Sequence, residues 1–195
     1  MKSLYTILLA GSILLAPLGA PTDKHIMYNH DQTWPEHFIE EAIESELFGL
    51  RFEIPDGWVA IVPSRLEDNF YFMITDNSHF TQDPITIWMS AVYYPGRTLE
   101  FVYNAIVANT ENAADLLRTV GNEVESQVVL REGTTPIGSH EWYSIDRRLH
   151  ILAENSNPSN ARIFLRFDND VVKRIEIHYA DADQLYDILG MFRAM

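Results

Sequence analysis

The chain has 195 residues, 47% of them hydrophobic and 12% aromatic, with no cysteine and a formal net charge of −14. That length suits a single hydrophobic core, and the apolar content is too high for a disordered chain. The missing cysteines exclude a disulfide framework, zinc ribbons, thiolate catalysis and a lipidated cysteine anchor. Fourteen Lys and Arg against twenty-eight Asp and Glu disfavour nucleic acids and anionic membranes as partners.

Met1-Lys2 is a short positive start, and Leu4–Leu18 is an apolar run of about fifteen residues, which fits a secretory leader better than the ~20 of a spanning helix. Pro17 and Gly19 break this run ahead of Ala20. Residues 1–20 are therefore expected to be a signal peptide, with cleavage between 18 and 24. The mature protein is expected in the periplasm or medium of a bacterium, with no stable membrane insertion. Residues 21–48 read as a polar arm followed by a helix. Thr33 is its N-cap, Glu36 closes a capping box, and the helix runs to about Leu47.

Residues 49–195 read as one domain. Leu50–Ile54 alternates, Pro55-Asp56-Gly57 is turn chemistry and Trp58–Val62 alternates again, which predicts a hairpin. Asn69–Thr75 places Phe70, Phe72 and Ile74 on one face. Ile85–Tyr94 is apolar on both faces, as a central strand covered on both sides would be. Leu99, Val102, Tyr103 and Ile106, then Ala113, Leu116, Leu117 and Val120, follow helical spacing, with a second N-cap at Asn109-Thr110 dividing them. Strands over Glu123–Arg131 and Ile137–Arg148 follow.

In the last hairpin, Ile163, Leu165 and Phe167 share a face, as do Val171, Ile175, Ile177 and Tyr179, interrupted by Lys173. Keeping both apolar sets together pairs Phe167 with Val171, Leu165 with Lys173 and Ile163 with Ile175, around a three-residue loop at Asp168–Asp170. Asp181 caps a final helix whose buried stripe is Leu185, Ile188, Leu189 and Phe192. Hairpin connections dominate. The expected class is α+β, a mainly antiparallel sheet flanked by helices.

The run Phe52-Glu-Ile-Pro55-Asp56-Gly57-Trp58, a strand ending in a Pro-Asp-Gly-Trp turn, resembles the opening of PsbP-like domains. That superfamily takes in the extrinsic photosystem protein and bacterial DcrB-like proteins, and the likeness spans about residues 49–195. It implies an α/β/α sandwich and a non-catalytic binding or assembly role. No functional residue carries over, because the matching positions are turn and core.

Chemistry-bearing residues are scattered. His30 and His37 with Glu40 and Glu41 form an imidazole-bearing acidic segment, and His37 would share a helix face with both acids, a spacing that suits a divalent cation held weakly. Ser139-His140-Glu141 has a nucleophile, a base and an acid, but strand alternation points His140 away from the other two. Asp146, Arg147, Arg148 and His150 bring cations into an acidic chain, either to bind a carboxylate or phosphate or to pair with nearby acids. Trp88, Tyr94, Arg97 and Trp142 are the candidate binding residues, since Trp, Tyr and Arg dominate interaction hot spots. No cofactor motif and no catalytic constellation is legible. The leading reading is an exported, non-enzymatic binding or assembly domain that engages another protein through a sheet face or its acidic surface. The alternative is a metal-dependent secreted hydrolase with ligands from separated His and Asp/Glu.

Overall fold

The computed structural model describes residues 37–39, 42–62, 70–76, 85–153 and 156–195. The chain runs β1 (His37–Ile39), β2 (Ala42–Ser45), β3 (Leu50–Glu53), β4 (Trp58–Val62), β5 (Phe70–Asp76), β6 (Thr86–Tyr93) and α1 (Leu99–Thr119). It continues through β7 (Val124–Ile137), β8 (His140–Ile151), β9 (Ser159–Asp168), β10 (Val171–Tyr179), α2 (Ala182–Leu189) and β11 (Phe192–Ala194). Eight strands form one sheet in the order β1-β4-β5-β6-β10-β9-β8-β7, and β11-β3-β2 form a second. Every pairing is antiparallel. The fold is α+β.

Both faces of the large sheet are covered. On one, Ile145, Ile163, Leu165 and Val172 receive Val102 and Ile106 from the inward stripe of α1. Leu117 and Ala114, two turns further on, close over Val124, Leu149 and Ile151. Thr98 starts α1 by accepting a hydrogen bond from the Phe101 N–H. On the other face, Ile74, Ile87, Met89, Trp142, Phe164, Ile175 and Ile177 pack against Phe48, Leu50 and Phe52 and against Leu185 and Ile188 of α2. The β6 expectation holds: the strand lies between β5 and β10, with Phe70, Phe72 and Ile74 in register with Ala91, Met89 and Ile87.

Several expectations are corrected. Over the described part of residues 33–47 the chain forms β1 and β2 in place of a helix. Ile43 and Ser45 are buried while Glu44 is exposed, a period of two, and Glu44 reaches Arg51 of β3 at 2.5 Å. Pairing with β3 and β4 thus outweighs a local pattern that also fits a helix. The leader, the arm and the capping box lie outside the described residues.

β3 and β4 do not pair. The Pro55–Gly57 turn forms, with the Trp58 N–H bonded to the Pro55 carbonyl, but it carries the chain from the small sheet to the large one. α1 is continuous, because the Thr110 hydroxyl donates to the Ile106 carbonyl within the helix and does not cap a new one. β7 runs beyond its expected end at Arg131 to Ile137, with an irregularity in its pairing between Leu130 and Thr134. Phe192 sits in β11, edge-on to Phe52 at 4.8 Å.

The last hairpin is shifted by one residue. Phe167 faces Val172, Leu165 faces Arg174 and Ile163 faces Glu176, and a two-residue turn is made with Asn169 at φ 53°. The two apolar sets therefore point to opposite sides of the sheet. Each set finds its own cover, α1 for one and the small sheet with α2 for the other, so apolar matching across the hairpin is not required.

Gly138, in the β7–β8 turn, has φ 61°, and a Cβ there would collide with Leu50 Cδ2. Gly121 has φ 90° with open space around it. Gly121→Ala should therefore cost only left-handed strain, about 1–2 kcal/mol, whereas Gly138→Ala adds overpacking and should cost about 3 kcal/mol. Urea unfolding of the two variants checks this, and equal losses would contradict the packing of the turn on Leu50.

Candidate functional site

Charge is sorted by depth. Among the described side chains, fifteen Asp and Glu are exposed against six Arg, while Arg147, Arg162, Arg166, Lys173 and Arg174 lie inward with Asp146, Asp168 and Glu176. Buried ions need partners, and here three carboxylates serve five inward cations and one exposed arginine.

On the α1 side of the sheet, Glu176 is 1% exposed and stands beside Trp88 of β6 and Ile163 of β9. Arg147 Nη2 donates to it at 2.7 Å, Arg174 Nη2 donates to its other oxygen, and His178 Nε2 lies 2.9 Å away. Arg147 comes from β8, across β9, and it is Ala161 that is in register with both Arg147 and His178. The small side chain leaves room for the arginine to reach over. Burial pushes the Glu176 carboxyl up, but Arg147, Arg174 and His178 outweigh it and hold the group well below its ordinary 4.5.

On the opposite side, Asp168 accepts from Arg166 Nε at 3.0 Å and Nη2 at 2.6 Å, and from Lys173 Nζ at 2.5 Å. Burial raises this carboxyl, and the hydrogen bonds from Lys173 and Arg166 lower it more, to below 3.8. His140 is held below 6.5 by burial and then by Arg166 and Lys173. In the third group Asp146 accepts from Arg162, its register partner, at 2.5 and 3.2 Å and from Arg131 Nε at 2.5 Å.

The four candidate binding residues do not converge on one patch. Trp88 is half-buried on the α1 side beside Glu176. Trp142 is 0% exposed on the other side, stacked on Phe48 at 6.3 Å, and is a core residue. Tyr94 packs on the α1 cluster, and its N–H donates to the Asp170 carbonyl. Arg97 is exposed, 4.0 Å over the Phe101 ring. His30, Glu40 and Glu41 lie outside the described residues, and only the backbone of His37, in β1, is described. Among the described residues no three His, Asp or Glu side chains form a metal-binding group.

Glu141 is exposed and accepts from the Thr134 hydroxyl at 2.6 Å, whereas His140 lies on the other face of β8, with its Nε2 close to Gly49. Asp146 and Arg147 pair with other strands, Arg148 is exposed and His150 lies 3.2 Å from the Ser156 carbonyl. The sequence reading missed Arg162, Arg166, Asp168, Arg174 and Glu176 as a set. The signal was there in Lys173, a charge interrupting an apolar stripe.

The carboxylates set the acid limit of stability. Asp168 and Glu176 bind protons less readily folded than unfolded, so their contribution is complete above 3.8 and 4.5 and is lost as pH falls below those values. His140 binds its proton less readily folded than unfolded, so its contribution to stability begins to be lost as pH falls below 6.5. Urea midpoints should therefore fall steadily from pH 7 to 3. Glu176→Gln, which leaves Arg147 and Arg174 without a counter-charge, should lose about 3–5 kcal/mol at pH 7. A flat midpoint over this range, or a neutral Gln variant, would refute the ionic role.

Among the described residues no helix is long and apolar enough to cross a membrane. No protein-family model matches the chain, and no curated protein matches it. In structure it is similar to PsbP (CyanoP) from Synechocystis sp. PCC 6803, at 13% identity and TM-score 0.47, over 92% of this chain and 99% of that one. It is similar also to LpqN of Mycobacterium tuberculosis, a protein involved in cell envelope biogenesis, at 13% identity and TM-score 0.41, over 80% and 91% of the two chains. A protein from Bacteroides thetaiotaomicron VPI-5482 aligns at 10% identity and TM-score 0.38 over 80% of this chain, which spans 49% of that protein's length.

Proposed function

We propose that the protein is an exported, non-enzymatic binding or assembly domain that engages another protein through its acidic surface. The observation that carries this reading is the sorting of charge: fifteen exposed acidic residues against six exposed arginines, with the remaining described cations turned inward. Such a surface attracts a basic partner, speeds encounter and makes association sensitive to salt. The apolar run Leu4–Leu18 behind Lys2 supports export, and with it a periplasmic or extracellular place of action. Of the local trio Ser139, His140 and Glu141, Glu141 accepts from the Thr134 hydroxyl, and His140 lies on the opposite face of β8 from it.

The test is a cross-linked pull-down from the native envelope and medium, with the wild type and a variant carrying Gln at Glu123, Glu125, Glu132 and Glu141. These four are exposed on and beside the β7–β8 hairpin. A basic partner should be retained at about 50 mM salt, lost by about 500 mM, and recovered less by the variant. Capture that is indifferent to both salt and the substitutions would assign the contact to an apolar sheet face. No capture from either fraction would contradict a binding role altogether.

A further inference from the structure

The Asp168 group differs from an ordinary ion pair in three ways. Arg166 and Lys173 are directly opposed across β9 and β10, and like charges so placed repel. One carboxylate answers both, so Arg166, Lys173 and Asp168 together keep a charge of +1. Two donors beside it also have no partner: Arg166 Nη1 and the indole Nε1 of Trp142, both buried. The Arg166 guanidinium lies 5.9 Å from the Trp142 ring centre, so the two belong to one locality. Native interiors rarely leave such N–H groups unanswered.

The fork of Arg166 that faces Asp168 uses Nε and Nη2, so Nη1 projects from its other side. Lys173 is 7% exposed, and its ammonium carries three N–H donors. A guanidinium edge, an ammonium and an indole N–H are hydrogen-bond donors without an acceptor among them.

We infer that Trp142, Arg166 and Lys173 form a binding site for the oxyanion head of a small ligand, a carboxylate or a phosphate. Such a head accepts from Arg166 Nη1 and Trp142 Nε1 and cancels the surplus charge of the opposed pair. Asp168 takes Arg166 Nε, Arg166 Nη2 and Lys173 Nζ and leaves Arg166 Nη1 and Trp142 Nε1 to the ligand. Access is from the end of the sheet, where Ser139, Asn169 and Asp170 are exposed and Tyr93 is 63% exposed. His140 is half-buried one row nearer that end than Trp142, on the same face of β8, so its ring must turn aside to admit the ligand. The site is independent of the acidic exterior, and its failure would leave the binding role on that exterior untouched.

The test is indole N–H NMR on the full chain labelled at its four tryptophans. Trp142→Phe assigns the signal, and should that variant not fold, proximity to the Phe48 ring assigns it instead. Sodium acetate and sodium phosphate are titrated separately against sodium chloride at matched ionic strength. The Trp142 signal should move saturably, half-complete below about 10 mM of one anion, while the chloride control leaves it in place. An acetate response identifies a carboxylate ligand and a phosphate response a phosphorylated one. Lys173→Met keeps the Arg166–Asp168 fork, and should weaken the response at least tenfold. A Trp142 signal that stays still up to about 100 mM of both anions, or that moves equally in Lys173→Met, overturns the assignment.

Discussion

Five cationic side chains are held inside the sheet by three carboxylates, and the rest of the molecule is arranged around that constraint. Desolvating an ion is expensive, and an ionic group in a sheet is stable only when geometry and hydrogen bonds offset the loss of water. Glu176 shows how it is met: three donors from two strands converge on one carboxylate, and a small residue at position 161 leaves the space for one of them to cross. Because five of the described cations turn inward, acids outnumber arginines on the exterior by fifteen to six. Internal packing and external charge are thus two aspects of a single distribution.

The two coverings of the sheet make this possible. α1 lies along one face with a continuous apolar stripe, and the three-stranded sheet with α2 lies on the other. Strands β9 and β10 are enclosed on both sides, so each can present apolar residues to both covers and still place a charged row between them. The same enclosure explains why the Asp168 and Glu176 groups sit on opposite faces although their residues alternate along one hairpin.

Much of the fold was legible from period and turn chemistry. The strands of β5, β6 and the β7–β8 and β9–β10 hairpins, the stripe of α1 and the Asp181 cap all follow from side-chain alternation and local hydrogen bonding. What was not legible depended on distant partners. His37–Leu47 carries both helical and alternating patterns, and only the presence of β3 and β4 decides between them. The hairpin register failed for a related reason. Matching Ile163, Leu165 and Phe167 with Val171, Ile175 and Ile177 assumes one buried face, and the strands have two.

The candidate site was hidden in the same way. Trp88 and Trp142 stand out in the sequence as aromatics, yet their surroundings, Glu176 for one and Arg166 for the other, come from strands far along the chain. Charged residues in β8, β9 and β10 read locally as solvated positions. Only the strand order shows that they face each other under cover.

The most direct measurement is the ionisation of Glu176 itself, followed through its side-chain carboxyl carbon by NMR while pH is lowered. The account predicts that this carboxyl stays ionised well below its ordinary 4.5, until the fold is lost. A Glu176 that takes up its proton at or above 4.5 in the folded protein would contradict it, and with it the charge-sorted sheet on which the acidic exterior depends.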